Sequence, residues 1–163
     1  MNERIILNKS LCEKYPFLVP RNRFSGEVVK DYDYSYTELD AMPDGWRKAF
    51  GEQICEEIQK ELSLLPEKAR LDYRITQIKE KYGSLCWYCN WYTDEISKII
   101  RKYERISERT CIKCGAPATK ISLGWISPWC DECAKEVIKC DNLMNIEDYF
   151  REEEEEEDDE EDI

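Results

Sequence analysis

Four cysteines carry the clearest chemistry in this sequence: Cys111-x2-Cys114, fifteen intervening residues, then Cys130-x2-Cys133. Two residues between paired cysteines let a tight turn aim both sulfurs at one ion, and two such pairs at this separation match a tetrahedral zinc site with four thiolate ligands. Gly115 follows Cys114 directly and can take the positive φ that a metal knuckle commonly needs. Sulfur in all four positions leaves no place for a bound water, so a single Zn2+ here is expected to be structural. The chain has no histidine, which removes every imidazole base and every mixed cysteine–histidine zinc site. No glycine-rich phosphate loop and no nucleophile–base pair is visible, so the expectation is a protein that is not an enzyme. Glu56, Glu57 and Glu61 read as solvated carboxylates on a helix face.

Cys86-Trp87-Tyr88-Cys89 is a competing pair. A reactive dithiol wants its first cysteine at a helix N-terminus, whereas this pair lies in a strand-like stretch, where residues three apart face opposite sides. Leu85, Trp87, Cys89 and Trp91 would share one face, and Cys86, Tyr88 and Asn90 the other. Cys12, Cys55 and Cys140 read as packing residues, Cys140 lying two helical turns past Cys133 and close to the metal site. Nine cysteines cannot all pair, and thiols kept reduced for metal binding suit a cytoplasmic setting. No apolar run approaches the roughly 20 residues that span a bilayer, so no membrane partner is expected.

The elements that must position these cysteines follow from periodicity. From Asp44, read as an N-cap, Trp46, Phe50, Ile54, Ile58 and Leu62 recur every four residues along one helix that ends before Pro66. Residues 71–78 and 84–92 read as a hairpin around Lys81-Tyr82-Gly83. Residues 93–109 return to helical spacing through Ile96, Ile99, Ile100, Tyr103 and Ile106, with Thr93 or Asp94 as cap, and deliver the chain to Cys111. Between the cysteine pairs a short hairpin turns at Gly124, and the run after Trp129 is helical. A knuckle, a hairpin and a helix supplying the last two ligands resemble a treble clef, with a zinc ribbon as the alternative. The expected class is α+β: an irregular segment 1–43 with a short strand through Tyr32, Tyr34 and Tyr36, a helix-plus-hairpin body 44–109, a zinc module 110–150 and a disordered acidic tail 151–163.

Charge is unevenly placed. Residues 152–162 are all acidic and supply −11 of the net −12, leaving 25 acidic against 24 basic side chains elsewhere. Eleven like charges with nothing to bury predict disorder. The tail reads three ways: a solubilising appendage, a cover for the chain's own basic helix, or a mimic of nucleic-acid charge. Lys98, Arg101, Lys102, Arg105, Arg109, Lys113 and Lys120 against Glu104 and Glu108 give residues 98–120 a balance of +5. Such a helix entering a knuckle is either a solvated face or a contact surface for nucleic acid or another partner.

Three segments, Met42-Pro43-Asp44-Gly45-Trp46-Arg47-Lys48-Ala49-Phe50-Gly51, Ile78-Lys79-Glu80-Lys81-Tyr82-Gly83-Ser84-Leu85 and Cys111-x2-Cys114-Gly115, together resemble a group of uncharacterised bacteriophage and prophage proteins. The resemblance covers about residues 30–135. It implies a zinc knuckle on the C-terminal side and a viral or prophage origin, hence the cytoplasm of a bacterial host, with no activity to carry over. The reading that follows is an accessory protein that binds a host macromolecule, with a host protein as the expected partner and regulation or inhibition of a host or defence protein as one use. The alternative is a nucleic-acid-binding regulator using the basic helix.

Overall fold

The computed structural model describes residues 2–137 and 142–161. Cys140 and its expected place near the metal site lie outside the described residues.

The stripe from Trp46 to Leu62 forms the spine of the core. Its helix begins as α2 (Asp44–Trp46), widens into a π-helical turn at Arg47–Gly51, and continues as α3 (Glu52–Ser63). Pro43, with extended ψ, takes the N-cap position, so the helix starts one residue earlier than its acidic side chain suggested. A strict spacing of four overshoots a 3.6-residue turn by about 40° per step. The π-helical turn, with its longer i→i+5 bonds, takes up part of that drift. Trp46, Phe50, Ile54, Ile58 and Leu62 are all buried. At about 1.5–3 kcal/mol for each large apolar side chain taken from water, this stripe is a principal source of stability.

The hairpin comprises β1 (Ile75–Lys81) and β2 (Ser84–Cys89), paired antiparallel with Lys81 opposite Ser84. Tyr82 and Gly83 form its tip, both with positive φ (51° and 77°), as a two-residue turn matched to strand twist requires. The expected strand at 71–78 starts later, because residues up to Asp72 belong to a short helix, α4 (Glu67–Asp72), entered from Pro66. Alternation in β2 buries Leu85, Trp87 and Cys89 against the core and leaves Tyr88 outside. Helix α5 (Asp94–Glu108) is capped by the Thr93 side chain, which accepts from the Ile96 N–H at 3.1 Å. It packs Ile96, Ile100 and Tyr103 against α3, with the Phe50 and Tyr103 rings 5.4 Å apart. Ile106, assigned to the same apolar stripe, is exposed.

The N-terminal segment is more ordered than its sequence suggested. Helix α1 (Glu3–Lys14) is capped by Asn2, and a 3-10 turn at Pro16–Leu18 sends Phe17 and Leu18 into the core. Its low amphipathicity hid it, since Cys12 and Asn8 are its buried residues and Asn8 donates to the Tyr34 carbonyl. Tyr32, Tyr34 and Tyr36 form no strand. Asp31 and Tyr34 have positive φ, which breaks extended geometry, and the Tyr32 ring sits 4.8 Å from that of Tyr34 and 5.7 Å from that of Tyr36.

Beyond α5 a second small sheet forms in the order β4-β3-β5, from β3 (Lys120–Ser122), β4 (Ser127–Trp129) and β5 (Leu143–Asn145). A one-turn helix, α6 (Asp131–Ala134), follows β4. The acidic run, expected to be disordered, is helical: α7 spans Ile146–Glu161. Glutamate is a good helix former, and Glu147 and Asp148 suit the positive end of the helix dipole. The first turns are anchored by buried Ile146, by the Arg109–Glu147 ion pair at 2.7 Å, and by the Arg109 guanidinium 4.4 Å from the Phe150 ring centre. Residues 151–161 are all exposed, and among the described residues no carboxylate from 152 to 161 is paired with a cation.

Because the outer turns of α7 bury nothing, deleting residues 152–163 should move the thermal midpoint by less than about 2 °C. Ile146→Ala, which empties the anchor, should cost about 2–4 kcal/mol. Thermal and urea unfolding of the two variants check both values.

Candidate metal centre

The knuckle is a reversal of the chain between Cys111 and Ala116. The Cys111 N–H donates to the Ala116 carbonyl at 2.7 Å and the Gly115 N–H to the Cys111 carbonyl at 3.0 Å, with Gly115 at φ +84°. Cys130 caps α6, its sulfur accepting from the Cys133 N–H at 3.4 Å, so the second pair leaves from the first turn of a helix. The two pairs are joined by backbone bonds on either side: Ile112 N–H to the Pro128 carbonyl at 3.0 Å, and Thr119 N–H to the Trp129 carbonyl at 2.9 Å. The hairpin between them turns near Gly124, as its residues suggested, and β5 adds a strand the sequence did not disclose.

These constraints bring the sulfurs of Cys111, Cys114, Cys130 and Cys133 within 4.8 Å of one another, with Cys114 and Cys130 3.6 Å apart. The sulfurs of a tetrahedron with bonds near 2.3 Å stand about 3.8 Å apart, so the group can hold one metal ion. Cys111 and Cys130 are buried and Cys114 and Cys133 partly so. Burial opposes ionisation of Cys111, but backbone amides around the knuckle outweigh it and bring the thiol down to about 7. Burial and the neighbouring sulfurs push Cys133 up to about 12, and Cys114 is also raised. Four thiols this close repel as thiolates, and a bound cation relieves that repulsion.

The knuckle is also docked on the core. The Gly45 N–H donates to the Ile112 carbonyl at 2.9 Å, and the Trp46 indole N–H to the Thr110 carbonyl at 2.9 Å. A Cβ on Gly45 would collide with the Cys111 carbonyl and lie 2.7 Å from the Ile112 oxygen, while one on Gly115 would lie 2.6 Å from the Gly45 oxygen. Either distance is inside van der Waals contact, so both positions exclude a side chain. The metal site is thus seated on the first turn of the core helix, and segments 42–51 and 111–115 form one unit. The third segment joins through Gly83, where a Cβ would meet the Ile126 side chain at 3.2 Å. Sequence reasoning saw Gly115 as a ligand-turn residue but missed Gly45, whose only signal was its place before the buried tryptophan.

Cys86 and Cys89 stand on opposite faces of β2, Cys89 buried and Cys86 part-exposed, and among the described residues only Cys111, Cys114, Cys130 and Cys133 form a metal-competent group. Cys12 and Cys55 are buried, and burial raises both thiols. Glu57 is not merely solvated. It pairs with Lys102 and accepts from the Tyr103 hydroxyl, tying α3 to α5; these partners outweigh partial burial and lower its carboxyl. The basic residues are similarly committed: Lys98 pairs with Glu95 at 3.2 Å, Lys102 with Glu57, Arg109 with Glu147, and Lys113 with Glu136. Arg101, Arg105 and Lys120 have no ion-pair partner among the described residues, and the two arginines are exposed. No protein-family model, no curated protein and no solved structure matches the chain.

Purified protein should hold one ion per chain. Cys114→Ser should remove it, whereas replacing Cys86 and Cys89 together by valine should leave it in place; elemental analysis under reducing conditions decides both. Cys114 and Cys133 are protonated at neutral pH, so binding must expel at least two protons. Lowering the pH returns protons to sulfur and drives the ion off. Competitive chelator titration should therefore show affinity falling at least about 100-fold per unit between pH 8 and 6. Gly45→Ala should weaken metal binding although it lies 66 residues before the first ligand.

Proposed function

We propose that this chain is a non-enzymatic binding protein in which a structural zinc ion fixes a small treble-clef-like module so that it presents a rigid aromatic surface to a partner protein. A tetrahedral set of four thiolates suits zinc and leaves no open position for chemistry. The departure of Cys130 and Cys133 from a helical turn instead of a strand favours the treble clef over the ribbon.

The observation that carries the reading is the pairing of the two hairpin tips. Tyr82, 75 % exposed, and Trp125, 71 % exposed, line one cleft with Lys81 and Ile126, held together by the Gly83–Ile126 contact. Large aromatics clustered on an outer surface are the residues that dominate protein interfaces, and here Trp125 sits on the hairpin of the metal module and Tyr82 on the tight turn of the core hairpin it touches. The resemblance to bacteriophage and prophage proteins supports a host protein as that partner, in the cytoplasm of the host cell.

Nucleic acid is the weaker reading. Phosphate contacts number about 6–10 in strongly salt-dependent binders, whereas Arg101, Arg105 and Lys120 are the members of the basic set left without ion-pair partners among the described residues. The acidic helix α7, rooted on Arg109, adds repulsion.

Affinity capture from expressing cells should recover a discrete protein with the wild-type chain and with a chain lacking residues 152–163, and lose it with Tyr82→Ala/Trp125→Ala. Recovery of nucleic acid alone, most strongly by the tailless chain at low salt, would favour the alternative. Undiminished capture by the double variant would remove the aromatic cleft from the account.

A further inference from the structure

The sulfurs that can hold a metal are also placed to react with one another. Cys114 and Cys130 come from different halves of the site, one from the knuckle and one from the cap of α6, yet their sulfurs stand 3.6 Å apart. A disulfide needs about 2.05 Å, so each sulfur has to travel less than about 1 Å, within the reach of side-chain rotation. Backbone amides hold both atoms in place: the Ala116 N–H donates to the Cys114 sulfur at 3.5 Å and the Cys133 N–H to the Cys130 sulfur at 3.4 Å. Access is unequal. Cys111 and Cys130 are buried, whereas Cys114 and Cys133 are part-exposed, so a small oxidant from solvent can reach Cys114 with its partner sulfur already at hand. Cys86 is part-exposed as well, but Cys89, the other member of its pair, is buried on the opposite face of β2.

We infer that Cys114 and Cys130 form a redox latch, in which a peroxide converts the metal-held module into a disulfide-held one and the ion is expelled. The inference rests on the proposed metal site for the expelled ion and on the sulfur geometry alone for the bond. The Cys114 thiolate takes one oxygen from the peroxide, whose other oxygen leaves as water or an alcohol, and becomes a sulfenic acid. The Cys130 thiolate then attacks the Cys114 sulfur, the S–O bond breaks, and the hydroxyl leaves as water. Two thiolates and one peroxide thus take up two protons and give one disulfide, and the two electrons lost by sulfur reduce the O–O bond. Cys111 and Cys133 alone remain as donors, too few to close a tetrahedron. The new bond joins the same two segments that the Ile112 N–H and the Pro128 carbonyl already join. The oxidised module therefore stays closed without its ion and keeps its contact with Gly45, whereas chelation of the reduced protein leaves no covalent link between the halves.

Treatment of the full-length, metal-loaded protein with hydrogen peroxide, followed by thiol blocking and peptide mass mapping, tests the latch. A Cys114–Cys130 cross-linked peptide is expected, with one ion released to a colorimetric chelator for each linkage formed, and dithiothreitol with added zinc should restore the starting state. Replacing Cys86 and Cys89 together by valine should leave both the linkage and the release unchanged. The Gly45 amide and the Trp46 indole N–H should stay protected from exchange in the oxidised, ion-free protein and lose protection in the reduced, chelated protein. Linkage through another pair, oxidation that stops at sulfinic or sulfonic acids, or equal loss of protection in the two ion-free forms overturns the latch. Purified protein that carries no ion yet forms the Cys114–Cys130 linkage overturns the metal reading and upholds the sulfur pairing, so the two failures are distinguishable.

Discussion

Two backbones in direct contact govern this molecule. The amide of Gly45 reaches the Ile112 carbonyl, and Gly115 lies against the Gly45 oxygen, with no room on either side for a side chain. The metal-binding knuckle and the first turn of the core helix are therefore not two domains joined by a linker but two halves of one contact. Trp46, wholly buried, completes it by spending its indole N–H on Thr110, the residue before the first ligand. A buried indole without a partner is costly, so the tryptophan reports on the knuckle as much as on the core.

That contact connects the chemistry of the thiols to the outer surface. Closing four sulfurs on one ion would fix Cys111 and Cys130, whose flanking residues carry the bonds between the knuckle and β4. The β3–β4 hairpin is set by those bonds, and its tip meets the tip of β1–β2 through Gly83 and Ile126. Exposed Tyr82 and Trp125 thus stand on the two hairpin tips that meet at this contact. The same architecture spends most of the basic set internally. Lys102, Arg109 and Lys113 hold α3, α7 and the segment after α6 in place, work that sequence spacing cannot distinguish from phosphate binding.

What was legible in the sequence follows from which signals are local. The four clustered cysteines, the Trp46–Leu62 stripe, the Thr93 cap and the Tyr82-Gly83 turn each declare themselves within a few residues, and each stands where its pattern places it. Helix α1 was illegible because it buries Asn8 and Cys12 instead of an apolar stripe. The three tyrosines mimicked strand alternation, while positive φ at Asp31 and Tyr34 folds them into a ring cluster. Strand β5 has three residues and depends on β3 for its pairing. The helical state of the acidic run depends on Arg109, from another helix, anchoring Glu147 and Phe150. The Gly45 contact joins positions 67 residues from Ile112, a separation at which one sequence carries no signal.

The central claim is that the metal knuckle and the core helix are one cooperative unit. Amide hydrogen exchange measured on the metal-loaded protein and again after chelation tests it most directly, because the Gly45 amide and the Trp46 indole N–H are each bonded to the knuckle segment and to nothing in their own helix. Loss of the ion should release both protons to exchange together with the Cys111 and Gly115 amides, while the paired amides of β1 and β2 keep most of their protection. Continued protection of Gly45 and Trp46 after the knuckle amides have become exchangeable would contradict the account.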